Sequence, residues 1–101
     1  MRMMIDVNFP LEPFNTLVRN GTIGQKLDQI LADIKPEAVY FSERDGQRGA
    51  VLIVDVADSS KVPSIAEPFF LTFNANVKFH VVMGPEDLAQ AGLDELGEKW
   101  G

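Results

Sequence analysis

The dipeptide Asp45-Gly46 constrains this chain more than any other pair of residues. Both central positions of a two-residue hairpin turn want positive φ, which aspartate tolerates and glycine adopts freely. Residues 38–57 therefore read as a β-hairpin. Setting Arg44 opposite Gln47 predicts Glu43 facing Arg48, Phe41 facing Ala50, Tyr40 facing Val51 and Val39 facing Leu52. That register is self-consistent. Opposite charges meet near the turn, and the apolar residues of both strands fall on one face.

Two more strands flank the hairpin in sequence. Met3, Ile5, Val7 and Phe9 alternate with Met4, Asp6 and Asn8, and Pro10 and Pro13 end the pattern because neither can donate to a ladder. Val77, Phe79, Val81 and Met83 alternate with Lys78, His80 and Val82. Residues 14–34 read as helical with a break at Asn20-Gly21, and residues 22–25 have the spacing of a capping box for a fresh start. Ile23, Leu27, Ile30, Leu31 and Ile34 then recur at helical spacing until Pro36. Ser59 or Ser60 is expected to cap a second, short helix with Pro63 in its first turn. Pro68 is expected to close that helix, leaving Phe69, Phe70, Leu71 and Phe73 in an aromatic connector. Pro85 opens a C-terminal helical tail, about residues 85–101, whose apolar members include Leu93, Leu96 and Trp100.

The order strand, helix, strand, strand, helix, strand predicts a single α+β domain over residues 1–101. Right-handed crossovers around a tight central hairpin lead to a ferredoxin-like βαββαβ antiparallel sheet with helices on one face. A net charge of −6 argues against nucleic acid and anionic membrane surfaces. No apolar run reaches the ~20 residues of a transmembrane helix, and Asp6 and Asn8 interrupt the N-terminal segment where a signal peptide needs an apolar block. A cytoplasmic location is the default expectation. With no cysteine and one histidine, no metal site is expected.

The alternation leaves a second sheet face bearing Met4, Asp6, Asn8, Tyr40, Ser42, Arg44, Val51, Ile53, Asp55, Lys78, His80 and Val82. Its apolar members are too many to stay bare, which predicts a homodimer with sheet facing sheet. Length, element order and the segment VLIVDVADSSKVPSIAEPFFLTFNANVKFHVVM resemble the dimeric α/β-barrel superfamily. That group includes muconolactone isomerase-like proteins and cofactor-free antibiotic-biosynthesis-type monooxygenases. The resemblance implies a dimer or higher oligomer with a small-molecule pocket and no cofactor. It does not imply one chemistry: the expectation is a small-molecule-binding protein with isomerase or monooxygenase activity on an aromatic or lactone-like acid, the alternative a non-catalytic ligand-binding or assembly module.

Within that frame His80, Asp6 and Asn8 are the candidate catalytic residues. Histidine exchanges protons near neutral pH, and the first strand lies beside the last. Its simpler role is a polar side chain satisfied across the strands or the dimer. Tyr40 and Arg44 are candidates for binding a carboxylate or phenolate, with a solvated hairpin end and an inter-subunit ion pair as the simpler reading. Phe41, Phe70 and Phe79 are candidates to line an apolar cavity between sheet and helices, although such rings are more often core or interface. The Asp6/Asn8 pair lacks the basic–acidic character of the isomerase-like proteins. Asn8 resembles the first-strand asparagine of the monooxygenases, but the accompanying tryptophan has no counterpart, since Trp100 lies in the tail. Residues 60–69 contain no histidine to ligate haem iron.

Overall fold

The computed structural model describes residues 1–101 as a mixed α+β structure built on one antiparallel sheet. Its strands are β1 (Arg2–Phe9), β2 (Ala38–Arg44), β3 (Gln47–Asp55) and β4 (Asn76–Val81), in the order β2-β3-β1-β4. Helices α1 (Leu11–Arg19) and α2 (Ile23–Ile34) follow β1, α3 (Val62–Phe73) follows β3, and α4 (Pro85–Ala89) and α5 (Leu93–Trp100) form the tail. The hairpin has the register its turn dictates, from Arg44 opposite Gln47 outward to Ala38 opposite Ile53, with Asp45 and Gly46 both at positive φ.

One face of the sheet is closed. Ile5, Val7, Phe9, Ala50, Leu52 and Val54 pack against Phe14, Ile30, Ile65, Phe69 and Phe73 from the first three helices. Four rings fill the centre: Phe9 meets Phe14 at 5.1 Å and Phe73 at 5.0 Å edge-on, and Phe69 at 6.2 Å. Edge-to-face stacking of this kind adds about 0.5–1.5 kcal/mol per pair beyond area burial.

Several local expectations are corrected. Pro68 does not end α3; the helix runs through it to Phe73, so Phe69, Phe70, Leu71 and Phe73 are helical and there is no aromatic connector. Burial of Ile65, Ala66, Phe69 and Phe73 along one side outweighs the missing N–H of Pro68. Asp58, not a serine, caps the 3-10 turn that leads into α3, accepting from the Ser60 N–H at 3.0 Å. Thr22 makes no side-chain cap; Asn20 Oδ1 instead accepts from the Thr22 N–H at 3.1 Å and from its hydroxyl at 2.6 Å. Glu43 and Arg48 sit opposite each other but do not pair. The Glu43 carboxylate turns to the Gly46 N–H, while Arg48 covers the Phe14 ring at 4.5 Å and donates to Asn15 at 2.7 Å. Val81 and Met83 point to the helix side in the sequence pattern yet are 61% and 64% exposed: Val81 ends the edge strand β4, and Met83 lies past that end.

Candidate functional site

The opposite sheet face carries no helix, and the strand registers order its residues into rows. Ala38, Ile53, Met4 and His80 form one row; Tyr40, Val51, Asp6 and Lys78 form the next. Ser42, Gly49, Asn8 and Asn76 form a third, and Arg44 with Gln47 closes the face at the hairpin end. Apolar side chains thus concentrate toward the Ile53–Met4 row and polar ones toward the hairpin.

The polar half is a basin of about 540 Å³ lined by Asp6, Asn8, Glu43, Arg44, Asp45, Gln47, Asn76 and Lys78, with no apolar side chain. Its structural centre is an ion pair that spans three strands. Arg44 on β2 reaches over β3 to Asp6 on β1, with Nε donating to Oδ1 at 2.9 Å and Nη2 to Oδ2 at 2.5 Å. Asn8 Nδ2 donates to the Arg44 carbonyl at 2.9 Å and holds the base of that arm. The two-pronged contact matches the guanidinium fork to the carboxylate. Hydrogen bonding to Asp6, and then its charge, raises the Arg44 pKa above the ordinary arginine value.

The arm can cross β3 only because residue 49 is glycine. A Cβ on Gly49 would lie 1.9 Å from Arg44 Cγ and 2.9 Å from the Val7 carbonyl oxygen. Gly49 is buried beneath the arginine it admits.

The structure brings Asp6, Asn8 and Arg44 together and leaves the other candidates elsewhere. His80 is exposed, lies in register with Met4 rather than Asp6, and makes no side-chain hydrogen bond. Tyr40 is 69% exposed on the same face, in register with Val51. Phe41 and Phe70 are exposed, and Phe79 packs at the edge of the core, so these three rings face different surroundings. Asp55 pairs with the N-terminal ammonium at 3.1 Å, not with Arg44 or Lys78. Sequence reasoning passed over Gly49, Gln47, Asn76 and Lys78 as parts of the site. A lone glycine inside the strand pattern QRGAVLIVD was the available signal for a close approach. No His/Cys/Asp/Glu cluster is arranged to hold a metal ion, and no helix is long and apolar enough to cross a membrane.

No family model matches the sequence, and no curated protein matches it. Among solved structures, the de novo designed protein Ferredog-Diesel is similar over 80% of this chain and 85% of that one, at 15% identity and a TM-score of 0.44. That likeness is too distant to argue from.

Proposed function

We propose that this chain is a ferredoxin-like, dimeric α/β-barrel-type module that pairs with a second copy through its open sheet face and holds a small polar ligand in the basin there. The observation that carries the reading is the bare face itself: Met4, Val51 and Ile53 are half-buried by their neighbours alone, and Tyr40 stands in water beside them. Two strand–helix units around a central hairpin support the fold assignment. A second copy is the simplest cover, since one self-complementary patch then satisfies both surfaces.

A binding and assembly role fits the site better than isomerase or monooxygenase catalysis. Asp6 has both oxygens engaged by Arg44, which removes it as a free base, and His80 stands outside the basin. A general base must come within hydrogen-bond reach of its substrate proton.

Light scattering across a concentration series tests the proposal. The chain is expected to run as a dimer at tens of micromolar, and Ile53→Asp is expected to yield a folded monomer by circular dichroism. A parent chain that stays monomeric at millimolar concentration would overturn the reading. Turnover lost in His80→Ala with the dimer intact would instead restore His80 to a catalytic role.

A further inference from the structure

The apolar and polar halves of the open face also constrain how a second copy can sit. This inference rests on the dimer proposed above. When two sheets face each other, the two-fold axis lies in the plane between them, leaving two limiting orientations. With the axis across the strands, the Ile53–Met4 row of one copy covers the Asp6–Arg44 basin of the other. Buried polar groups then lose water against side chains that cannot replace it. With the axis along the strands, rows are kept: the Ile53–Met4 row meets its own copy, Val51 alone among the apolar side chains comes over Asp6 of the partner, and the polar rows at the two hairpin ends merge into one wet cavity. The same operation carries β2 of one copy over β4 of the other, because these are the opposite edges of the sheet.

We infer that the second copy docks with its rows matched, so that each Tyr40 ring lies over Lys78 of the partner. Both residues belong to the same row, on opposite edge strands. Each lacks a side-chain partner in its own chain. Lys78 takes part in none of the ion pairs, and the Asp6 carboxylate it faces in register is engaged by Arg44. Tyr40 is the one phenyl-type ring projecting from that face, and a lysine ammonium over a tyrosine ring gains cation–π attraction that grows on desolvation. The partner copy therefore contributes Tyr40 to the wall of the basin that Lys78 lines.

The absence of cysteine makes the orientation directly measurable. Ala57 follows β3 at the apolar end of the sheet, is exposed, and lies outside the proposed contact. Ala57→Cys carrying a spin label is expected to give an inter-subunit distance shorter than the roughly 30 Å length of a nine-residue strand. A longer distance in an intact dimer overturns the matched orientation and leaves the dimer standing. A monomer overturns both. For the contact itself, Tyr40→Ala and Lys78→Ala should each weaken the dimer several-fold, and the double variant should lose less than the product of the two. Additive losses would remove the Tyr40–Lys78 contact from the interface.

Discussion

Gly49 shows how one missing side chain sets the chemistry of a whole face. Any Cβ there collides with the Arg44 arm and presses on the Val7 carbonyl oxygen, and the second contact is backbone that cannot swing aside. Gly49→Ala is expected to cost about 1–3 kcal/mol in denaturant unfolding, the usual range for overpacking. In an Arg44→Ala background the penalty should shrink, since the closest obstacle is gone; an unchanged penalty would place the whole cost on Val7. Glu12 offers a second, independent check at this scale. Hydrogen bonds from the Thr16 hydroxyl at 2.7 Å, and then from its N–H at 2.9 Å, hold the Glu12 carboxyl below its ordinary pKa. A carboxyl depressed by folding stabilises the native state above its unfolded pKa, about 4.3, and that contribution fades as pH falls through the lower folded value. Thr16→Val should therefore raise the Glu12 titration midpoint seen by NMR. An unmoved midpoint would show that the hydroxyl does not hold the carboxylate.

Helix α3 is the element where local and tertiary preferences conflict. Pro68 removes one N–H from the middle of the helix, yet Ile65, Ala66, Phe69 and Phe73 keep their common face on the sheet. Pro68→Ala restores the donor and is expected to stabilise the fold, by up to about 3 kcal/mol from intrinsic helix preference alone. Pro68 also borders the groove against Lys26, Gln29 and Ile30 of α2, so a loss of stability would mean that its ring packing matters more than the backbone bond. The same conflict explains what could be read in advance. Strands and hairpin register were legible because period-two alternation and Asp45-Gly46 are local signals that the sheet reinforces. The course of α3 was not, because the burial that overrides Pro68 comes from strands distant in sequence. The Asp6–Arg44 pair was half legible: both residues could be placed on one face from alternation. Their union across β3 depends on Gly49, whose role emerges only when three strands are laid side by side.

The molecule as a whole is longer than its chain length requires. Its radius of gyration is 17.1 Å, against about 13 Å for a compact chain of 100 residues, and its longest dimension is 60 Å. The tail accounts for the difference in kind: α4 and α5 bury no residue, and Leu88, Leu93, Leu96 and Trp100 all stand exposed. A segment that buries nothing contributes little to the cooperative unfolding of the domain it leaves, because stability follows apolar area removed from water. Ending the chain after Gly84 in the Ile53→Asp background separates that question from the dimer. The truncated monomer is expected to keep its Tm within about 3 °C, corresponding to less than ~1 kcal/mol, while small-angle scattering reports a radius of gyration near the compact value. A larger drop in Tm would show that Leu93, Leu96 and Trp100 pack onto the domain in solution, and the tail would then belong to the fold it now extends from.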